Sequence, residues 1–405
     1  MSIDRRTRTD ASTVEQDPSV LLDDVLPAAF DGAELRLRGI APVDLAPLVL
    51  DVDGERRSLS VRDGVPVLGA DGSSDGAAVL HLDQQMLADL VVDQATPISW
   101  LADGSLRVDG GGLGLALDWW LLVRAALDVT TPHVPGAIAF LDLDGSPLDL
   151  TRSFTLDDPA DEMAHFLGEA GFLRIRGAFD EEEMAVVSAD MDREAPGYTK
   201  GDGRSWWATL RDGSDALVRM QAFDQRSEAT AAVMDTDRLA VVAGLTNDGH
   251  RVPQGPGGRC EALFKPLGVA QGISDIPWHK DCSLGRHSFE CCSLTVGVSV
   301  TGADADSGQL RVVAGSHRAL MWPAPSVQPG NDLPVLDLPT ATGDLTVHCS
   351  CTLHMAQPPV TTPRRVLYTS FAMDPLDPEG ARAARTRRNA IREAAPVTVS
   401  QPAAP

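Results

Sequence analysis

Stretches in which apolar and polar residues alternate recur along the chain, and each one predicts a β-strand with one buried face. In the first third of the chain such stretches lie at residues 35–38, 48–52, 58–61, 79–82 and 106–108. Two of them are followed by Asp53-Gly54 and Asp63-Gly64, which are strong turn signals. The pattern therefore predicts a sheet of short strands joined by tight turns.

Helical spacing of apolar residues begins after the fourth of these strands. Asp83 has the side chain of an N-cap, and the apolar residues that follow it at helical spacing are Met86, Leu87, Leu90 and Val91. A second helix is predicted over residues 115–127. Strands followed by helices predict an α+β domain over residues 21–130, and the polar leader before it, residues 1–20, is expected to be disordered.

A second domain follows a connector. Residues 131–153 contain three prolines and are interpreted as a linker. A helix is expected to begin at Asp158-Pro159 and to end at Gly171, where glycine favours a left-handed C-terminal turn. Asp180 is the expected N-cap of the next helix, because three glutamates follow it in the first turn.

The rest of the chain is mostly strands and turns. Residues 196–258 show no clear period, and we interpret them either as a lid or substrate loop or as a surface insertion. Residues 293–300 alternate between apolar residues and small polar residues, and a small polar face leaves room for a ligand inside a barrel. These features predict a double-sheet jelly roll over residues 154–378, followed by a tail at 379–405.

Composition restricts the possible partners. The formal net charge of −24 argues against nucleic acid and anionic membrane surfaces, because phosphate binding needs clustered Lys and Arg. Residues 1–20 lack the apolar core of a signal peptide. The most apolar stretch, residues 113–127, is short and contains Asp118 and Arg124, so stable membrane insertion is not expected. We expect a cytoplasmic protein whose partner is a small-molecule substrate; the oligomeric state is left open.

The cysteines do not form a recognisable metal motif. They are Cys260, Cys282, Cys291, Cys292, Cys349 and Cys351. None of the spacings forms the pair of CxxC knuckles of a structural zinc site. In a long chain without an export signal, we expect these residues to be thiols that act as small buried side chains.

The residues that carry chemistry begin with a His-x-Asp pair. His279 and Asp281 stand two residues apart in a stretch predicted to be extended, so both side chains can reach the same ion. A third ligand must then come from a distant histidine, and His317, His348 and His354 are the candidates. Two imidazoles and one carboxylate leave coordination positions open on the opposite face, an arrangement typical of non-haem Fe(II) oxygenases.

Residues 154–371 resemble the phytanoyl-CoA dioxygenase (PhyH) family of Fe(II)/2-oxoglutarate oxygenases. The segments that carry the resemblance are residues 166–177, 278–281, 307–317, 343–354 and 363–368. The resemblance implies a double-stranded β-helix, that is, a jelly-roll or cupin-like fold with flanking helices. It also implies that His279, Asp281 and His354 form the catalytic metal site, with Fe(II) as cofactor and 2-oxoglutarate and O2 as co-substrates.

The last of these segments supplies the co-substrate arginine. Arg364 matches the family arginine that binds the distal carboxylate of 2-oxoglutarate, and a planar guanidinium suits a bidentate carboxylate contact. Arg365 is the alternative, because the spacing from His354 is one residue shorter than in many relatives. Neighbouring residues of a strand point to opposite faces, so only one of the two can face the site. The other interpretation for either is a salt bridge at a strand end.

The N-terminal domain resembles the sterol-carrier-protein-2 (SCP2-like) family. The segments that carry this resemblance are residues 77–82, 87–90, 104–110 and 111–116. Members of that family enclose an apolar ligand tunnel between sheet and helices. The resemblance therefore implies lipid binding or substrate presentation, and the alternative is a domain retained for packing or dimerisation.

These features together predict an Fe(II)/2-oxoglutarate-dependent dioxygenase that oxidises an unactivated C–H bond and releases succinate and CO2. The expected substrate is small and mainly apolar, such as a lipid, a terpenoid or a carrier-bound acyl group. Because related halogenases lack the carboxylate ligand, Asp281 favours hydroxylation, desaturation or rearrangement over halogenation. The alternatives are a tailoring oxygenase of an amino acid or polyketide natural product, and a non-catalytic lipid-binding scaffold.

Overall fold

The structure is a computed structural model. It describes residues 17–42, 44–70, 72, 76–254, 258–272, 274, 276–282, 284, 293–323, 325–374 and 378–394. Most of the predicted leader, the cysteines at 291 and 292 and the last part of the predicted tail lie outside the described residues. None of the helices in the described ranges combines the length and apolar content needed to cross a membrane.

The N-terminal region contains a five-stranded sheet. Its strands are β1 (Leu48–Val52), β2 (Glu55–Arg62), β3 (Val65–Gly69), β4 (Ala78–Leu82) and β5 (Arg107–Asp109). The order across the sheet is β3-β2-β1-β4-β5. β1 and β4 are parallel and the other neighbours antiparallel. Four of the five predicted strands are confirmed, and β3 was not predicted.

Helices cover this sheet. They are α1 (Pro18–Val20), a π-helical segment (Leu21–Val25), α2 (Leu26–Leu37), α3 (Gln84–Val91), α4 (Pro97–Asp103) and α5 (Leu113–Leu127). The predicted cap is confirmed, since Met86 N donates to the Asp83 carboxylate at 2.7 Å. The strand predicted at residues 35–38 is wrong. That stretch ends α2, whose buried residues Leu26, Phe30, Ala33 and Leu37 follow a helical period.

The C-terminal region contains two antiparallel sheets. The strands, in chain order, are β6 (Phe172–Ile175), β7 (Ser205–Leu210), β8 (Asp215–Met220), β9 (Glu261–Lys265), β10 (Val269–Gln271), β11 (Ser293–Ser299), β12 (Leu310–Val313), β13 (Val335–Leu338), β14 (Leu345–Cys349), β15 (His354–Ala356) and β16 (Arg364–Ala372). The large sheet has the order β10-β7-β8-β9-β16-β11-β14-β6, and the small sheet has the order β13-β12-β15. Apolar residues of both sheets share one core.

Helices flank the large sheet, as expected. They are α6 (Ala160–Ala170), α7 (Glu181–Glu194), α8 (Glu228–Met234) and α9 (Asp237–Gly244), with single 3₁₀ turns at Ala195–Gly197, Phe223–Gln225 and Ser316–Arg318. The last helix, α10 (Pro378–Ala394), packs against α4 of the N-terminal region instead. Gly171 ends α6 with φ 82°, as predicted. Asp180 caps α7 in a capping box with Glu183, which confirms that prediction too.

The stretch that showed no clear period belongs largely to the fold itself. Within residues 196–258, β7 and β8 form a hairpin of the large sheet, and α8 and α9 follow it. Neither the lid nor the surface insertion describes this hairpin. Its pattern was hard to interpret because aromatic and charged residues share the β7 and β8 positions.

The two regions meet beside a loop that leaves the small sheet. Leu320 and Trp322 pack in the N-terminal core, and Trp322 Nε1 donates to Asp118 Oδ1 on α5 at 3.0 Å. At another point α10 contacts α4 and brings Arg387 within 2.6 Å of Asp89 on α3. Segments from the C-terminal half therefore contribute to the N-terminal core.

Candidate metal centre

The His-x-Asp stretch lies beside the edge of the small sheet. His279 and His354 form an antiparallel bridge in which each backbone N–H donates to the other's carbonyl at 2.9 Å. The Asp281 N–H donates to the Ser350 carbonyl at 2.8 Å. The stretch is thus extended, as predicted, and its partner segment carries the distal histidine.

The three side chains converge. Ligand atoms of His279, Asp281 and His354 all lie within 4.8 Å of one another, and no other such group of His, Cys, Asp or Glu occurs in the described residues. The Nε2 atoms of His279 and His354 lie 3.5 and 3.8 Å from Asp281 Oδ1. Three donor atoms this close together surround a space that suits a single metal ion.

Backbone carbonyls orient both imidazoles. His279 Nδ1 lies 2.7 Å from the Pro277 carbonyl oxygen, and His354 Nδ1 lies 2.8 Å from that of Thr352. A carbonyl accepts only, so each Nδ1 carries the proton and each Nε2 keeps a lone pair directed at the shared space. Such outer contacts fix the tautomer of metal-binding histidines.

The two oxygens of Asp281 have different environments. Oδ2 accepts a hydrogen bond from Thr295 Oγ1 at 2.8 Å, whereas Oδ1 faces the two imidazoles. Burial raises the pKa of this carboxyl, but the adjoining imidazoles of His354, His279 and His348 outweigh burial and hold the pKa well below its usual value. The carboxylate is therefore anionic near neutral pH, which is the form that binds a cation.

His354 has the matching protonation state. Burial lowers the pKa of its imidazole well below the usual value, and His348 and His279 lower it further, while Asp281 acts in the opposite direction. Neutral imidazole is the form that binds a metal. The donor set of two neutral imidazoles and one carboxylate fits Fe(II).

The other two candidate histidines occupy different places. His348 on β14 is 1% exposed; its ring centre lies 4.1 Å from that of His354, and its Nε2 lies 3.6 Å from Asp281 Oδ2. His348 therefore lies next to the triad, on the Oδ2 side of the Asp281 carboxylate. His317 lies in the 3₁₀ turn, where its Nε2 contacts the Gly168 carbonyl oxygen at 2.9 Å.

Two residues that sequence reasoning did not single out support the site. Lys280, between the first two ligands, is 1% exposed, and its Nζ donates to the Ser316 and Ala319 carbonyl oxygens at 2.8 and 3.2 Å. Thr295 holds Asp281 as described. The small polar face of residues 293–300 was the sequence signal for Thr295. No sequence signal indicated Lys280, because its burial depends on the 3₁₀ turn at Ser316–Arg318, which is distant in sequence.

The two candidate arginines lie on opposite faces of β16. Arg364 is 5% exposed, and its Nε has no hydrogen-bond partner in the described part of the chain. Arg365 donates to both carboxylate oxygens of Asp192 at 2.9 and 2.8 Å and to Ser188 on α7. The outer arginine is thus paired with a carboxylate of the protein, whereas the described residues give the inner one no carboxylate partner.

The cysteines that the structure describes are not part of the centre. Cys260, Cys282, Cys349 and Cys351 are all buried. No cysteine belongs to the convergent group found among the described residues. This agrees with their expected role as small buried side chains.

Comparison with known proteins gives a family match and several solved structures of low sequence identity. Residues 167–366 match the phytanoyl-CoA dioxygenase (PhyH) family. AviO1 from Streptomyces viridochromogenes Tue57 is 22% identical, with 56% of this chain and 99% of that chain covered and a TM-score of 0.44. EctD from S. alaskensis, solved with 2-oxoglutarate and 5-hydroxyectoine, is 17% identical (60% and 86% covered, TM-score 0.43). The epimerase SnoN from nogalamycin biosynthesis is 18% identical (53% and 80% covered, TM-score 0.41).

No curated protein sequence matches the chain. The PhyH family uses Fe(II), 2-oxoglutarate and O2, and the convergent His-Asp-His triad provides the ligands that this iron requires. The matched residues include the triad and both arginines. Residues 167–366, which carry the metal centre, therefore match the phytanoyl-CoA dioxygenase (PhyH) family, and the match supports an enzyme of the Fe(II)/2-oxoglutarate oxygenase class.

Proposed function

We propose that this protein hydroxylates an unactivated C–H bond of a small molecule while 2-oxoglutarate and O2 are converted to succinate and CO2. The observation that carries the proposal is the convergence of His279, Asp281 and His354 in a domain that also buries Arg364 without an anionic partner. A metal triad and an unneutralised buried cation are what a chelated, dianionic co-substrate needs.

The triad holds the metal in this proposal. His279 and His354 contribute Nε2, because their Nδ1 atoms are occupied by backbone carbonyls. Asp281 contributes Oδ1, because Oδ2 accepts from Thr295. Bound Fe(II) and 2-oxoglutarate supply the oxidising chemistry, so no side chain of the site needs to act as acid or base.

Arg364 binds the distal carboxylate of 2-oxoglutarate in this proposal, and Arg365 does not. A guanidinium forms bidentate, charge-assisted hydrogen bonds with a carboxylate. Burial of Arg364 strengthens such a contact, because water competes less. Arg365 is engaged by Asp192 and Ser188 on the outer face, so its role is to anchor α7.

The presence of Asp281 favours hydroxylation. A halogenation reaction needs a free coordination position for halide, and a carboxylate ligand occupies that position. Asp281 lies between both histidines and is anionic, so it remains a ligand at neutral pH. Desaturation and rearrangement use the same oxidant and are outcomes that product analysis distinguishes.

We also propose that residues 21–130 form an SCP2-like domain that presents an apolar substrate to residues 154–378, with residues 131–153 as the linker. The order of strands and helices in the N-terminal region supports this assignment. Solvent extraction of the purified full-length protein followed by mass spectrometry should release a stoichiometric apolar ligand. Absence of any such ligand after expression in several hosts would count against the presenting role.

The oxygenase proposal is tested by anaerobic titration of the apo-protein with Fe(II) and then 2-oxoglutarate, recorded as the visible charge-transfer band of a chelated 2-oxo acid. Wild type should develop the band, His279→Ala should not, and Arg364→Met should need far more 2-oxoglutarate. Arg365→Met is the matched control, because it removes the neighbouring guanidinium from the other face. No band in folded, iron-loaded wild type, or an equal effect of both arginine variants, would contradict the assignment.

A further inference from the structure

One face of the large sheet points toward the metal centre, and the strand register shows which residues of the other strands lie on that face. Thr295, which holds Asp281, pairs with Ser370 on β16, and Tyr368, two residues before Ser370, pairs with Glu261 on β9. Side chains two residues apart and side chains of paired residues share a face. Glu261 therefore projects on the same side of the sheet as the metal centre.

The same face continues across β8 and β7. Arg219 pairs with Leu263, two residues after Glu261, and Trp206 pairs with Arg219. The Arg219 guanidinium carbon lies 4.1 Å from the centre of the Trp206 ring, and its Nη1 lies 2.9 Å from Glu261 Oε2. The register thus places an arginine, a tryptophan and a glutamate together on the site face.

Arg219 keeps unused hydrogen-bonding capacity. Its side chain is 15% exposed, and its Nε is buried without a hydrogen-bond partner among the described residues. A guanidinium has five N–H donors, and in the described part of the chain the ionic contact with Glu261 is the one carboxylate contact of Arg219. The indole and Glu261 fix the orientation of the guanidinium while leaving donors for another acceptor.

A second group of an arginine, an aromatic ring and a glutamate occurs elsewhere in the molecule, and there the arginine has a purely structural role. Arg238 lies 4.6 Å from the centre of the Phe179 ring, and it donates to both carboxylate oxygens of Glu183 and to the Ala178 carbonyl. That arginine uses its donors in a bidentate pair. Arg219 has the aromatic platform and the glutamate without the bidentate pair.

We propose that Arg219 binds a carboxylate of the substrate at the end of the site remote from the metal. This inference rests on the proposed oxygenase function and names the substrate class: a small molecule with an apolar body and a carboxylate group. A guanidinium recognises a carboxylate through paired, charge-assisted hydrogen bonds. Glu261 and Trp206 position it.

The register also sets the approximate length of the substrate. β8 and β11 are three strands apart in the sheet, which at about 4.8 Å per strand is about 14 Å. The register places Arg219 level with Ser299, four residues from Thr295, which adds about 14 Å along the strands, so Arg219 and Thr295 lie about 20 Å apart. The oxidised carbon and the carboxylate are thus separated by several carbon–carbon bonds. Short acids cannot reach both ends.

The test uses the anaerobic Fe(II)–2-oxoglutarate form of the full-length protein and calorimetric titration with butanoate, octanoate and dodecanoate, each beside its primary amide. We expect wild type to bind octanoate or dodecanoate at least about tenfold more tightly than the amide, since one charge-assisted contact is worth that much. The preference should fall to below about threefold in Arg219→Gln and be partly kept in Arg219→Lys. Arg238→Gln is the matched control and should keep the wild-type preference.

Each outcome decides the inference. Equal binding of acids and amides by wild type, or a preference that survives in Arg219→Gln, would overturn it. If wild type developed no charge-transfer band, the proposed oxygenase function, on which this inference rests, would be contradicted instead. A preference that Arg219→Gln abolishes, with the charge-transfer band intact in that variant, would support the carboxylate site, because a merely structural defect would weaken binding of acid and amide alike.

Discussion

The N-terminal and C-terminal regions each bury an arginine, but among the described residues only the N-terminal region pairs that arginine with a carboxylate of the protein. In the N-terminal region Arg124 on α5 is 2% exposed and donates to both oxygens of Asp128 at 2.9 Å. It also donates to the carbonyl oxygens of Leu90 and Val91 at 2.9 and 3.2 Å. The protein itself neutralises this charge.

Arg364 in the oxygenase domain is buried to a similar extent, with 5% exposure. Its Nε has no hydrogen-bond partner, and no carboxylate in the described residues pairs with it. A buried charge without a partner is unfavourable. The difference teaches that the first arginine is paired within the fold, whereas the second has no carboxylate partner among the described residues, as the proposed contact with 2-oxoglutarate requires.

The largest expected effect comes from removing a ligand of the metal centre. His354→Ala should abolish iron binding and lower the rate of 2-oxoglutarate consumption by at least about a thousandfold, because two remaining ligands cannot hold the ion. Metal analysis and succinate formation measure it. His317→Ala removes a histidine that contacts a helix carbonyl instead, so it should keep iron; equal loss in both variants would refute the assignment.

The next effect tests the structural arginine. Arg124→Met should lower the free energy of unfolding by about 3–5 kcal/mol, because it removes the buried guanidinium that pairs with the carboxylate of Asp128. Chemical denaturation measures this change. A loss below about 1 kcal/mol would mean that the pair contributes little to the N-terminal core.

The arginine-to-methionine substitution in the C-terminal region should affect co-substrate binding rather than stability. Arg364→Met should change the free energy of unfolding by less than about 1 kcal/mol without co-substrate, since no protein partner is left unpaired. It should weaken 2-oxoglutarate binding by about a hundredfold, through the loss of charge-assisted hydrogen bonds. Denaturation with and without 2-oxoglutarate checks both. A large loss of stability with unchanged 2-oxoglutarate binding would show that Arg364, like Arg124, has a structural role.

A smaller effect is expected where the protein orients a ligand of the metal. Thr295→Val removes the hydroxyl that holds Asp281 Oδ2 while keeping the side chain's shape. Iron affinity should fall by about tenfold, as for other losses of an outer hydrogen bond to a ligand. Competition with an iron chelator measures it. Unchanged affinity would show that the two histidines orient Asp281 without Thr295.

The smallest effect concerns a second buried charge of the N-terminal region. Burial raises the pKa of Asp89, although Arg387 at 2.6 Å and Gln85 act against it. A carboxyl with a raised pKa in the folded state binds its proton more tightly there than in the unfolded chain. Its contribution to stability is therefore largest below its ordinary pKa of 3.8 and declines as pH rises through the raised value.

The free energy of unfolding of wild type should accordingly fall relative to that of Asp89→Asn as the pH rises above 3.8, the ordinary pKa of the carboxyl. Urea unfolding at several pH values measures this difference. Asp17→Asn serves as a comparison of opposite sign, because hydrogen bonds from Ser19 lower the pKa of Asp17. A difference that moves in favour of wild type over this range would mean that Arg387, rather than burial, dominates.

Local signals predicted much of the fold. Asp83 and Asp180 were assigned as N-caps, and Gly171 as a helix end, because caps depend on a few neighbouring residues. The strand at residues 35–38 was wrong because four alternating residues also fit the end of a longer helix. The hairpin of β7 and β8 was missed because its positions mix aromatic and charged residues, and its partners lie far away in the sequence.

The sequence by itself determined that His279 and Asp281 share a face, since alternation in an extended stretch requires it. It also determined that Arg364 and Arg365 point in opposite directions. Only the tertiary structure decided that His354 lies across a bridge from His279 and that α7 covers the Arg365 face. Such pairings depend on strand register and helix packing between distant segments, and local periodicity carries no information about either.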